Sequence, residues 1–252
     1  MRLLTFNEAV REGLYPEHSI TRRINRENVL LLGGGRALLM QLAHPSVAAG
    51  VDEHSDFRAD PLRRLRRTVR LTMAIIFGDR ETALAAVRTV NRVHSRVRGQ
   101  GYHALDPDLL LWVHATLVDS ALVTYAIFVK PVTPREREDF YQESKLAGEM
   151  LGIPRGHFPD RVDDFDRYMT RMLDGGGVAV SDRSRALGRV PWFPRLRRSQ
   201  RALGGGGGRR DGVEGFSASH RCGGRGRPAH EPAMMGALLL GAYARVGSAR
   251  RG

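Results

Sequence analysis

Cysteine is almost absent from these 252 residues: Cys222 stands alone. That excludes an internal disulfide framework and makes a reducing compartment the default expectation. Several short motifs that announce common chemistries are also missing. There is no H-E-x-x-H for a zinc hydrolase, no P-loop for a nucleoside triphosphate, no G-x-S-x-G elbow and no C-x-x-C. Gly33-Gly34-Gly35-Arg36 resembles a phosphate loop in composition only, since no strand precedes it and no Lys-Ser/Thr follows. The first residues, broken by Glu8, Arg11 and Glu12, hold no apolar run of the length a secretory signal needs, so a cytoplasmic protein is expected.

Acidic residues are scarce in one part of the chain only. The formal net charge is +13, yet residues 183–252 hold fifteen arginines against Asp211, Glu214 and Glu231. Residues 1–182 are close to neutral, so a specific nucleic-acid partner is not expected for the body of the protein. The same last stretch holds fifteen of the 29 glycines, including the run Gly204–Gly208. Such a composition buries too little apolar surface to offset the entropy of folding. Residues 183–252 are therefore expected to be a disordered or frame-altered basic tail, with 233–244 as its one apolar patch. An RNA-binding tail is the other reading of that composition, since arginines attract phosphate backbones.

What fills residues 1–182 is helix after helix, with no convincing strand alternation. The spacing predicts helices over about 27–43, 61–78, 79–99, 107–129, 134–152 and 163–173. Their starts carry caps: Asp60-Pro61, Asp106-Pro107, and Thr133-Pro134 with Glu136 as a capping box. Gly33, Gly34 and Gly35 sit inside the first helix, where each costs about 1 kcal/mol against alanine, which suggests a close-packed neighbour. Residues 109–129 are long enough to span a bilayer. His114, Asp119 and Ser120 lie at their centre, however, and an ionisable residue there costs roughly 2.5–3.5 kcal/mol, so a buried core helix is expected rather than a transmembrane span.

Four histidines and one basic face are the candidates for chemistry. Ala83, Val87, Val90, His94 and Val97 recur at spacings of 4, 3, 4 and 3, which places His94 in an apolar stripe. It reads either as a core histidine bonded to a backbone carbonyl or as an axial ligand, since a haem offers an apolar macrocycle and one metal bond. His114 precedes Asp119 by five residues, too far round the helix to face it squarely. His44 and His54, ten apart with no third ligand nearby, make a poor zinc site. On the second predicted helix Arg63, Arg64, Arg66, Arg67 and Arg70 surround Thr68. A solvated face is the plain reading, but Arg64 and Thr68 at i and i+4 share one side, suited to haem propionates or a bound oxygen species.

The stretches LLLGGGRALLMQLAHPSVAAGVDEHSDFRADPLRRLRRT, FGDRETALAAVRTVNRVHSRVRG and YHALDPDLLLWVHATLVDS together resemble the MpaB and rubber-oxygenase (latex clearing protein) catalytic domain, over about residues 20–175. The resemblance implies an all-α, single multi-helix domain packed around a haem pocket, with haem b as cofactor and O₂ and a small apolar or isoprenoid alkene as partners. The family's ligand histidine lies in an Arg-x-x-His-x-x-x-Arg pattern. Here His94 and Arg98 match it, while Asn91 replaces the first arginine. Arg64, Arg67 and Thr68 are similar to the arginine, basic residue and threonine of the distal side. His94 is thus implied as iron ligand, Arg98 as a propionate partner, His114 as a secondary cofactor contact, and Arg64, Arg67 and Thr68 as the catalytic group. A haem peroxidase or hydroxylase of a small apolar metabolite, and a non-catalytic helical binding protein, are the other readings. The sequence leaves substrate and oligomeric state open.

Overall fold

The computed structural model describes residues 13–189, apart from positions 56 and 58. The chain divides into two units, Met1–Arg195 and Leu196–Gly252, and every described residue belongs to the first. The expectations for residues 190–252, including the patch at 233–244, lie outside the described residues.

Among the described residues the protein is all-α but for one two-residue hairpin. The helices are α1 (Ile20–Asn25), α2 (Leu30–Ala43), α3 (Pro45–His54), α4 (Pro61–Phe77), α5 (Arg80–His94), α6 (Pro107–Phe128), α7 (Pro134–Met150), α8 (Val162–Asp174) and α9 (Asp182–Gly188). β1 (Arg98–Gly99) pairs antiparallel with β2 (Tyr102–His103). The caps read from the sequence are in place: Asp60 accepts from Arg63 N, Asp106 from Asp108 N, and Thr133 with Glu136 closes a capping box.

The organising element is α6, whose Leu110, Leu111, Trp112, Ala115, Val118, Leu122 and Tyr125 are buried. By length and composition it is the one helix among the described residues able to cross a membrane, but it is packed as a core helix. α2 lies along it in the opposite direction: Gly33 meets Thr124 and Ser120, and Gln41 Nε2 donates to Thr116 Oγ1 at 3.0 Å. The polar residues at the middle of α6 take part in this contact. Arg36 of α2 forms a buried ion pair with Asp119 (Nη2 to Oδ2, 2.6 Å) and donates to Ser120 Oγ at 2.8 Å. The other side of α6 packs with α1, α7 and α8 through Ile24, Phe140, Tyr141, Phe165 and Met169. α4 and α5 form an antiparallel pair joined at Gly78-Asp79, and they carry a second cluster of Ile75, Ile76, Ala86 and Val87.

Four features differ from the sequence-based expectations. The helix expected to reach Gly99 stops at His94, because the chain turns through Gly101 (φ 77°) and folds back as the hairpin; a Cβ on Gly99 would stand 2.5 Å from the Tyr102 ring. Val97 and Arg98 therefore leave the helical stripe. α1 and α3 went unread because they are short, and α3 begins at once after the predicted stop, with His44 accepting from Ser46 N as its cap. The boundary expected at residue 182 falls within the Ser181-capped start of α9. Leu187 is fully buried with Leu42, Ala48, Val51 and Phe57, and Arg183 pairs with Asp52 and Glu53, so the folded unit continues to Gly188. Of the three glycines in α2, only Gly33 is tightly packed: nothing lies within 4 Å of a Cβ at Gly35, and Leu65 is 3.9 Å from one at Gly34.

That contrast is testable. A Cβ at Gly33 would stand 2.6 Å from Thr124 Oγ1 and 3.1 Å from the Ser120 carbonyl. Gly33→Ala is expected to destabilise the protein by about 1–3 kcal/mol through overpacking, whereas Gly35→Ala should stabilise it by up to about 1 kcal/mol through helix propensity. Urea denaturation of the two variants measures both; equal effects would contradict the packing described.

Candidate functional site

The end of α5 and the middle of α4 converge on one another at His94 and Arg64. His94 is half-buried, and its Nδ1 is buried without a hydrogen-bond partner. Burial, and next the charge of Arg64, hold its pKa below the ordinary 6.5, so the imidazole is neutral at pH 7. Arg64 is half-buried too. Its Nη1 donates to Ser55 Oγ at 2.9 Å, and its guanidinium lies 5.7 Å from the centroid of the Phe57 ring. Burial lowers its pKa as well, but an arginine stays cationic at any working pH. Phe57 is only 1% exposed and belongs to the cluster that α9 closes. The site thus joins the C-terminal end of α3, the segment after it, α4 and α5.

Chemically, this is a neutral imidazole beside a fixed cation, at the edge of an apolar core. Among the described residues His94 Nδ1 has no hydrogen-bond partner. Such a group can donate a lone pair to a metal, and the adjacent guanidinium can offset the charge of an anion such as a carboxylate.

The other sequence candidates lie elsewhere. Arg67 and Thr68 are exposed on α4. Four residues turn a helix by 400°, so Thr68 sits about 40° from Arg64, and that offset carries it from the packed flank to the solvent side. Arg98 is exposed in β1, and only its carbonyl has a described role, accepting from His54 Nε2 at 3.0 Å. Because the helix ends at His94, Arg98 is not one turn beyond it on a common face. His114 is on α6, its Nε2 3.5 Å from Ser144 Oγ and its ring edge-on to Phe158. No described hydrogen bond or ring contact joins it to His94 or Arg64. Asp119 turns instead to Arg36. His44 caps α3, and His54 braces the hairpin. The structure therefore brings together His94 and Arg64 and leaves Arg67, Thr68, Arg98 and His114 apart from them.

Two residues of the site escaped the sequence reading, Ser55 and Phe57, and Asn91 figures in it only as a departure from the family's pattern. Asn91 donates from Nδ2 to the Met150 carbonyl of α7 at 3.0 Å, while its Oδ1 is buried and unpartnered. Phe57 offered a faint signal, an aromatic residue amid the polar run His54–Asp60.

Comparison with known proteins decides the family. Residues 21–235 match the family described as "ER-bound oxygenase mpaB/B'/Rubber oxygenase, catalytic domain". The chain belongs to this family. The match extends past residue 175, the end of the stretch that carries the motif resemblance. The protein is also 32% identical over 170 residues to two curated relatives, the uncharacterized proteins Mb2261 of Mycobacterium bovis and Rv2237 of Mycobacterium tuberculosis. The aligned part is 62% of this chain and 66% of theirs, so the chain spans just under two thirds of their length. No solved structure matches it. As a member of the mpaB and rubber-oxygenase family, the chain carries the catalytic-domain sequence of an oxygenase family.

The half-buried histidines make stability depend on pH. Burial pushes the His114 pKa down to about 4, and His44 and His94 are lowered too. A histidine with a lowered folded pKa binds its proton more readily in the unfolded chain. Stability is therefore full above about pH 6.5 and falls as pH drops toward 4. Between pH 7 and 5 the loss from His114 alone is expected to be about 2 kcal/mol. Denaturant titrations at several pH values should show the loss, and a flatter profile in His114→Leu. An unchanged profile in that variant would refute the assignment. The window stops at pH 5 because paired carboxylates such as Glu136, held at about 2, add their own losses below it.

Proposed function

We propose that this protein is a haem-dependent oxygenase that acts with O₂ on a small apolar alkene, with isoprenoids as the substrate class. The observation that carries this reading is the neutral imidazole of His94 set beside the anchored guanidinium of Arg64. Two residues suit a b-type haem: His94 would hold the iron, and Arg64, which lies over the buried Phe57 ring, suits a propionate or an oxygen-derived charge. The local charge adds support. Residues 61–105 carry ten arginines against Asp79 and Glu81, a field that favours anionic groups.

Haem iron, when bound, would supply the oxygen activation. The chain's own residues do the rest. His94 stays unprotonated because burial and Arg64 both oppose its charge, so its lone pair remains available. Arg64 is kept in place by Ser55 and by the face of Phe57, which limits the entropy lost when it meets an anion. The exposure of Arg67 and Thr68 favours a second reading, a binding protein on the same scaffold that does not turn substrate over.

The full chain, expressed with haem supplied, is expected to show a Soret band. The band should collapse in His94→Ala and persist in His114→Leu. Oxygen uptake on addition of an isoprenoid alkene separates the oxygenase from the binding protein. A colourless wild-type protein, or a Soret band undiminished in His94→Ala, would overturn the proposal.

A further inference from the structure

Two buried polar atoms on α5 lack partners, and their chemistry is complementary. Asn91 and His94 are one turn apart, a spacing that brings Cβ atoms to about 5–6 Å on a common side of a helix. The orientation of the Asn91 amide is set by its neighbour: Nδ2 donates to the Met150 carbonyl at 3.0 Å, and a carbonyl only accepts. Flipping the amide would place oxygen against oxygen. Oδ1 is therefore the free end, a buried acceptor without a donor. His94 Nδ1 is the second orphan.

Only one neutral tautomer of His94 satisfies both atoms. With the proton on Nε2, both orphans would be acceptors, and neither could satisfy the other. With the proton on Nδ1, that nitrogen is a donor and Oδ1 its acceptor, either by a small rotation of the side chains or through one buried water. The lone pair of the ring then lies on Nε2. Histidines that bind metals depend on this kind of bond, which orients the ring and sets its basicity.

We propose that Asn91 is the positioning residue of His94: its Oδ1 takes the Nδ1 proton, fixing the tautomer that presents the Nε2 lone pair. Its consequence for haem rests on His94 being the ligand, but the tautomer itself exists without haem. The amide is in turn held by the end of α7, so ring orientation is tied to the packing of α7 on α5.

The experiment is long-range ¹H–¹⁵N correlation NMR of the labelled full chain without haem at pH 8, with the His94 signals identified by their loss in His94→Ala. The wild type is expected to show the Nδ1-protonated ring; an Nε2-protonated ring overturns the proposal outright. Asn91→Asp and Asn91→Leu both give up the bond to Met150, so the difference between them isolates the acceptor. Asn91→Asp should keep the Nδ1-protonated form, and Asn91→Leu should lose it. Both variants behaving alike would also overturn the proposal. With haem added, Asn91→Leu should bind roughly 10–100-fold more weakly than Asn91→Asp, in line with the loss of other ligand-orienting bonds. If the tautomer follows Asn91 but no form takes up haem, the inference stands and the haem reading fails.

Discussion

The close crossing of α2 on α6 is the constraint on which the rest of the structure depends. A helix as apolar as α6 has no obvious solvated side and must be covered, and α2 covers it at a separation that only a glycine permits. The approach would leave the polar residues in the middle of α6 stranded, were it not for Arg36. Its guanidinium meets Asp119 at 2.6 Å and Ser120 at 2.8 Å, with the paired side chains only about a tenth exposed. A buried pair of this kind contributes little net stability, because desolvation offsets much of the attraction. Its effect is on specificity: with Asp119 buried, any register of α2 that removed Arg36 would leave an uncompensated charge in the core.

From that crossing the site follows by succession. α3 begins where α2 ends, and its C-terminal Ser55 reaches Arg64 of α4. Leu65 of α4 approaches Gly34 of α2, the helix that lies along α6. α5 returns antiparallel to α4 and stops at His94, beside Arg64. α9 seals the far side with Leu187 against Phe57. The imidazole is thus placed by packing, and its neutrality is a product of burial and of the cation brought next to it.

The helical framework was legible in the sequence because its signals are local. Caps at Asp60, Asp106 and Thr133 act within three residues, and a stripe such as Ala83, Val87, His94 declares a buried face without reference to any partner. The errors share a cause. The extension of α5 to Gly99 followed a spacing that continued by chance into the hairpin, where pairing between Arg98 and His103 won over helical continuation. α9 looked like the start of a basic tail because composition averages over a window, whereas one buried leucine and one arginine between two acids hold it to the core.

The candidate site was legible in part. His94 and Arg64 stood out because each broke a pattern, a histidine on an apolar face and an arginine paired by spacing with Thr68. That Thr68 and Arg67 stay exposed while Arg64 turns inward is set by neighbours that lie outside the helix itself, Ser55 and Phe57. Asn91 could not be recognised from its own surroundings in the chain, since its meaning comes from Met150, 59 residues away. The sequence alone determined the fold class, most helix starts and the family resemblance, because propensity, capping and periodicity act over a few residues. Tertiary structure alone decided which polar groups meet: burial and hydrogen bonding between distant segments depend on where the helices cross, and α2 and α6 cross where a missing side chain lets them.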